Sequence, residues 1–246
     1  MQQNIQKNRK KLLVFASGGK EPNEGGSGFQ EMVEFSRTDP PILDADIVAV
    51  ISNNQFGGVY NKSQLLNIPF EYWSGPFDEE GYKTIIEKYQ PDFVMLSGWL
   101  KKTIGLNPSK TINIHPGPLP EFGGKGMYGH FVHEAVIEAF HQGKIQQSAI
   151  SMHFVTEKYD EGPIIVKYPV LIRLDDTPQT LAQRVNEKER VIQSIFLNLV
   201  VMGYITYPDP DYRTLVIDEK IWGFYKQFAN IPGQKYEIKK YPPYFI

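Results

Sequence analysis

In the run TINIH, residues 111–115, Asn113 and His115 stand two apart at the end of a short apolar stretch. Side chains two apart on a strand leave the same face, so both would aim at one space. The amide N–H of Asn113 can hold a developing oxyanion, and the imidazole of His115 can exchange a proton near neutral pH. An isolated histidine is more often packed or simply exposed. The next loop sets this one apart. Pro116, Pro118 and Pro120 fix φ in its first half, and Gly123, Gly124, Gly126 and Gly129 free the backbone in its second. A rigid front and a permissive back hold two polar side chains still beside a space that something else must enter.

Asp160 lies in TEKYDEGP, residues 156–163, with Gly162 and Pro163 close behind. Aspartate in such a stretch commonly serves the turn alone. Its other use is to orient and stabilise a histidinium, as the acid of a Ser-His-Asp set does. The sequence has no cysteine and no Gly-x-Ser-x-Gly elbow to supply a nucleophile. An Asn/His/Asp set would then act on a nucleophile carried by the substrate. The chemistry this describes is transfer of a small acyl group to an amine.

A third stretch, SGGKEPNEGGSGFQ (17–30), is a glycine- and serine-rich loop running into a helical pattern. Backbone N–H groups at a helix N-terminus can cradle a phosphate. The loop matches neither G-x-G-x-x-G nor G-x-x-x-x-G-K-[ST], and a flexible surface loop reads equally well. GGKG at 123–126 lacks the Ser or Thr that a P-loop needs after Lys125. His130 and His133 are three apart on a helical pattern, with His141 and His153 further on, but there is no H-E-x-x-H. No metal site is expected.

These loops need elements to hold them. KLLVFAS (11–17), DIVAVIS (46–52), DFVMLSGW (92–99) and TINI (111–114) are short, near-continuous apolar runs. Runs of this kind read as strands buried on both faces of a parallel sheet. FQEMVEFSR (29–37) and EEGYKTIIEKYQ (79–90) read as helices between them, the second stopping before Pro91. HFVHEAVIEAFHQG (130–143) is helical to Gly143. SAISMHFV (148–155) and GPIIVKYPVLI (162–172) read as a hairpin, and residues 175–203 as one long helix. Thr177 is its N-cap, Pro178 its first residue and Gly203 its stop. The fold class expected is α/β: a mostly parallel, twisted sheet with helices on both faces and an antiparallel hairpin near the C-terminal part. Residues 204–246 are rich in Tyr, Pro and Lys, with no clear period.

The 246 residues suit one large domain, or one domain with an extension. A formal net charge of −2 gives no global field for nucleic acid or an anionic membrane. The absence of cysteine fits a reducing cytoplasm. The opening MQQNIQKNRKK is polar and basic with no apolar stretch after it, so neither signal peptide nor membrane span is expected. It reads as a frayed, solvated terminus.

INIHPGPLP (112–120), GGKGMYGHFVHEAV (123–136), HFVTEKYDEGPII (153–165) and DDTPQTLAQRV (175–185) together resemble the folate-dependent formyltransferase family, in the family's order. The likeness covers roughly residues 11–203 and leaves 204–246 as a C-terminal extension. The Gly-Lys-Gly-Met-Tyr-Gly stretch points to the purine-synthesis branch over the tRNA branch.

The resemblance implies transfer of formyl from 10-formyltetrahydrofolate to the amine of glycinamide ribonucleotide. It implies that Asn113, His115 and Asp160 are catalytic, with Asn113 and protonated His115 on the oxyanion and Asp160 supporting the histidine and a proton-relaying water. Ser17, Gly18, Gly26, Ser27 and Gly28 would bind the substrate phosphate, and Glu189 the ribonucleotide. Trp99, Leu100, Lys101, Val155, Thr156 and Tyr159 would line the folate pocket, with Met127 and Tyr128 beside the catalytic histidine. No metal is implied, and the partners expected are small molecules.

Three features depart from the family's pattern. KEPNE stretches the phosphate loop, Phe29 or Gln30 stands near where an Asn is usual, and Lys101 stands where an Arg is common, keeping charge without the planar fork. Two other readings stay open. One is a related formyltransferase acting on another amine, such as an amino-sugar nucleotide; a tRNA enzyme would carry a larger C-terminal domain. The other is a non-catalytic folate or nucleotide sensor on the same fold. The extension is expected to pack on the core or on the second subunit of a homodimer.

Overall fold

The computed structural model of the chain describes residues 9–210 and 213–240. Residues 1–8 of the basic opening lie outside the described residues. Arg9 is not frayed: its guanidinium donates to Ser36 O at 3.0 Å and to Leu43 O at 2.8 Å. Lys10 and Lys11 already belong to the first strand.

The elements run β1 (Lys10–Phe15), α1 (Ser27–Ser36), β2 (Ala45–Ser52), α2 (Gly58–Leu65), β3 (Phe70–Tyr72), α3 (Glu79–Tyr89), β4 (Phe93–Leu96) and β5 (Thr111–His115). They continue with α4 (His130–His141), β6 (Gln147–Phe154), β7 (Ile164–Leu171), α5 (Pro178–Val201), β8 (Ile205–Thr206), β9 (Thr214–Asp218), α6 (Glu219–Tyr225) and β10 (Lys235–Lys239). Seven strands form one sheet in the order β3-β2-β1-β4-β5-β6-β7. It is parallel from β3 to β5, and β6 and β7 are antiparallel additions. The expected α/β class and its hairpin are both present.

The apolar runs are continuous because both sheet faces are covered. Along β1, Leu12 and Val14 join a core with Phe29, Met32 and Val33 of α1 and with Leu197 and Val200 of α5. Leu13 and Phe15 face the other way, into Trp73, Tyr82, Ile85 and Trp99. α5 begins as its sequence predicts. Thr180 N donates to Thr177 Oγ1 at 3.2 Å, Thr177 N donates to Thr180 Oγ1 at 3.0 Å, and Pro178 opens the helix. Gly203 follows the end of α5 with φ 76°.

Residues 53–78 contain α2 and β3, which carry little apolar periodicity and are passed over by the sequence reading. Residues 204–240 also hold more structure than their composition suggests. β8, β9 and β10 form a second, three-stranded sheet. Leu215, Ile217 and Tyr225 pack in the same core as β1 and α5. Among the described residues no helix is long and apolar enough to cross a membrane.

The order of strands matters for function. β1 sits between β2 and β4, so the chain leaves the C-terminal ends of β1 and β4 in opposite directions. In open α/β sheets the crevice at such a switch point is where ligands bind. Here the two loops are stitched together: Ser17 N donates to Gly98 O at 3.1 Å and Ser97 N to Phe15 O at 2.9 Å.

Candidate active site

β5 ends beside this crevice and carries Asn113 and His115 on one face. Antiparallel pairing sets Asn113 opposite His153 of β6. The loop after β6 then folds back and brings Asp160 to the same point. Asn113 Nδ2 lies 3.0 Å from His153 Nε2 and donates to Asp160 Oδ1 at 3.4 Å. His153 Nδ1 is 2.9 Å from Phe154 O, and a carbonyl can only accept. In the neutral ring that fixes the proton on Nδ1 and leaves Nε2 to accept from Asn113. His153 thus braces the Asn113 amide, a role sequence reasoning missed. The strand register that places it there is not written in either stretch alone.

His115 is 3 % exposed. Its Nε2 donates to Phe122 O at 2.7 Å, and its Nδ1 lies 3.7 Å from Asp160 Oδ2. Burial pushes the pKa of His115 down; Asp160 and the Phe122 carbonyl oppose this, His153 adds to it, and the net shift is downward. The resting ring is therefore neutral near pH 7, with Nδ1 as its basic atom. Asp160 is buried too, which alone would raise its pKa. The closeness of His153 and His115, whose protonated forms the carboxylate favours, and the Gly124 N–H together outweigh burial and hold it below the ordinary carboxylate value. Gly124 N donates to Asp160 Oδ2 at 3.0 Å. The arrangement is a fixed carboxylate waiting for a proton to arrive on its neighbour.

Beside this cluster lies a cavity of about 300 Å3 over the N-terminus of α1. The stretch KEPNE is closed off at its base, where Gly19 N donates to Glu24 O at 3.0 Å. Gly25 then returns so close to Gly18 that a Cβ on Gly25 would meet Gly18 Cα at 2.4 Å. Gly26 takes φ 73° and starts the helix with no side-chain cap. The N–H groups of the first turn have no intrahelical partner, an arrangement able to hold an anion.

α5 supplies the opposite wall with Asn186, Glu189, Arg190 and Gln193. Arg190 Nε is buried without a hydrogen-bond partner. Gln193 is 1 % exposed, and its Oε1 accepts from Ser97 Oγ at 3.0 Å. A Cβ at Gly28 would meet Gln193 Nε2 at 2.3 Å.

The comparison with known proteins can be set against this geometry. The family model described as formyl transferase matches residues 10–195. The chain belongs to the formyl transferase family. It is similar to the chloroplastic phosphoribosylglycinamide formyltransferases of Arabidopsis thaliana, 34 % identical over 74 % of this chain, and of Vigna unguiculata, 35 % identical over 74 %. The matched region spans 62 % and 57 % of those two relatives. The crystal structure of glycinamide ribonucleotide transformylase 1 from Symbiobacterium toebii shares the fold, with a TM-score of 0.68 at 22 % identity, over 82 % of this chain and 92 % of that one.

Within this formyl transferase fold, Asn113, His115 and Asp160 meet at one point. With them, Trp99, Leu100, Lys101, Val155, Thr156 and Tyr159 line a cavity of about 360 Å3. Trp99 is mostly a brace: its Nε1 donates to Tyr82 Oη at 2.8 Å, and its ring lies parallel to Trp73 at 6.2 Å. Lys101 Nζ sits 5.2 Å from the centre of the Phe77 ring. Glu189 lines both cavities, and burial pushes its pKa up to about 7.

Gly18, Gly26, Ser27 and Gly28 line the second cavity, but Ser17 does not. Ser17 is 2 % exposed, and its hydroxyl accepts from Leu100 N at 3.0 Å, so it ties the two loops together. Phe29 lies in the core, and Gln30 Nε2 is turned outward to Glu34 Oε1 at 2.8 Å. Neither supplies an amide to the cavity. Gln193 stands there, from another helix. A signal for it existed: Asn186, Glu189, Arg190 and Gln193 recur at helical spacing, a polar stripe on a helix that is otherwise half buried. His133 stays apart within α4, its pKa pushed down to about 4 by burial and then by the charges of His115 and His130. Among the described residues no group of three His, Cys, Asp or Glu is arranged to hold a metal.

Proposed function

We propose that this chain transfers the formyl group of 10-formyltetrahydrofolate to the amine of glycinamide ribonucleotide. The observation that carries the reading is the pairing of two cavities. One holds Asn113, His115 and Asp160 beside an apolar wall; the other offers an uncapped helix N-terminus and the Arg190 guanidinium; Glu189 belongs to both. A flat heteroaromatic co-substrate suits the first and a phosphorylated amine the second. The names of the plant relatives support the same acceptor.

In this reading the first turn of α1, Arg190 and Gln193 hold the phosphate. Glu189 holds the body of the ribonucleotide, so the amine reaches across to the formyl carbon. The amine attacks, and the Asn113 amide N–H steadies the oxyanion that forms. His115 takes the proton of the amine at Nδ1. Asp160 stabilises the resulting imidazolium, and the proton returns to N10 of the folate as the carbon–nitrogen bond breaks. His115 is thus neutral at rest and charged only during turnover. The prolines after His115 fix the strand end, and the glycines beyond let both substrates approach the backbone.

The test is an acceptor panel. Purified protein is mixed with 10-formyltetrahydrofolate and either glycinamide ribonucleotide or an amino-sugar nucleotide, and loss of the formyl group is followed by absorbance. Turnover with the ribonucleotide alone is the expected result. Turnover only with the amino sugar would replace the acceptor, and folate binding without turnover would favour a sensor.

A further inference from the structure

The loop carrying Asp160 is gripped from behind by residues that lie outside the matched family region. Gln234 Oε1 accepts from Ile164 N at 2.6 Å, and Gln234 Nε2 donates to Ile164 O at 2.7 Å. One side chain thus satisfies both backbone groups of the first residue of β7, as a neighbouring strand would. Gln234 Nε2 also donates to Tyr236 Oη at 2.9 Å, which fixes the amide's orientation. Tyr225, fully buried, donates from Oη to Ile165 O at 2.6 Å. Arg213 donates to Glu161 O, the carbonyl next along from Asp160.

Asp160 needs such support. Its φ is 54°, a left-handed conformation that a non-glycine residue holds only when its surroundings impose it. The residue lies between two cavities. The proposed catalytic one is in front; behind is a third cavity, of about 430 Å3, whose wall includes Arg213 and Gln234.

Resting on the function proposed above, we propose that the C-terminal segment is an external clamp, in which Gln234 and, secondarily, Arg213 position Asp160 against His115 and His153. The ranking follows from exposure. Arg213 is 61 % exposed and its pairing with the Glu161 carboxylate at 3.9 Å is screened, so it contributes little. The Gln234 bonds are short, doubled and half buried. The contacts they protect are long enough to be lost easily: Asp160 is 3.7 Å from His115 and 3.4 Å from His153. A shift of about 1 Å in a catalytic group can cost on the order of a hundredfold in rate.

The experiment uses the full chain with Gln234→Ala, Asp160→Asn and the double variant. Gln234→Ala is expected to lower kcat about tenfold or more, while KM for folate and acceptor stay within about twofold. In the Asp160→Asn background the same substitution is expected to cost almost nothing further, because both act on one carboxylate. Parental kcat in Gln234→Ala, or an undiminished loss in the Asp160→Asn background, would overturn the clamp. Should Gln234→Ala fail to fold, Gln234→Glu keeps the acceptor for Ile164 N, removes the donor to Ile164 O and is read the same way. NMR titration of the His115 ring, which Asp160, His153 and His133 face, needs no turnover. A lower titration midpoint in the variant supports the clamp, and an unchanged one contradicts it, even if the native chain proves not to formylate glycinamide ribonucleotide.

Discussion

His115 Nδ1 lies 3.7 Å from Asp160 Oδ2 while its other ring nitrogen is committed to Phe122 O at 2.7 Å. One nitrogen is therefore anchored, and only the other is placed to gain and lose a proton. Burial keeps that nitrogen unprotonated at rest, and Asp160 makes the protonated state reachable. In the proposed reaction the pair would store the proton between attack and release.

Asp160→Asn removes a charge that raises the pKa of His115, so the ring should titrate at a lower pH than in the parent. Turnover should fall roughly a hundredfold or more, as expected for losing a partner in acid–base catalysis. NMR titration of His115 together with steady-state kinetics checks both. An unchanged titration would mean that the carboxylate is not felt by the ring.

Gly28→Ala should damage the phosphate side. The added Cβ would meet Gln193 Nε2 at 2.3 Å and Ser97 Oγ at 2.5 Å, so both side chains would have to turn and their mutual hydrogen bond would be disturbed. A stability loss of about 1–3 kcal/mol is expected from overpacking. KM for the acceptor should rise while folate affinity stays near the parent's. Denaturant unfolding and isothermal titration with each substrate separate the two effects.

Arg190→Ala should raise KM for the ribonucleotide roughly tenfold to a hundredfold, the size of a lost charge-assisted hydrogen bond to phosphate. Arg190→Lys should recover only part, since an ammonium keeps the charge but loses the fork. kcat at saturating acceptor should change little in either, and initial rates over an acceptor series decide it.

Glu189 gives a pH signature. Its pKa is about 7 in the fold, against about 4.5 in the unfolded chain. A carboxyl with a raised folded pKa binds its proton more tightly when folded. Its contribution is harmless below about pH 4.5, and it costs stability progressively from there to about pH 7. Glu189→Gln should therefore gain stability over the parent as pH rises through that window and hold the gain above it. Parallel melting curves at pH 4, 6 and 8 check the sign.

Much of this architecture is legible in the sequence because the sheet is buried on both faces. DIVAVIS and KLLVFAS announce themselves as near-continuous apolar runs, and Thr177-Pro178 marks the start of α5 through cap chemistry alone. β10 is different. Its side chains alternate between exposed and half-buried, so no apolar run marks it, and β8 is two residues long. The proposed catalytic trio is legible because Asn113 and His115 share a strand and Asp160 sits in a distinctive turn. His153 is not, because strand register places it; for Arg190 and Gln193 the polar stripe along α5 is the only signal, and the loops they face come from elsewhere in the chain. Ser17 was misplaced for a related reason: a hydroxyl at a strand end looks free in sequence, and here it is bound to Leu100 N.

The most direct measurement is the rate of formyl transfer from 10-formyltetrahydrofolate to glycinamide ribonucleotide in the parent and in His115→Ala, with folate binding measured alongside. Turnover is expected in the parent, with a loss of roughly a hundredfold to ten-thousandfold in the variant and folate affinity nearly unchanged. Near-normal turnover by His115→Ala would contradict the proposed role of His115.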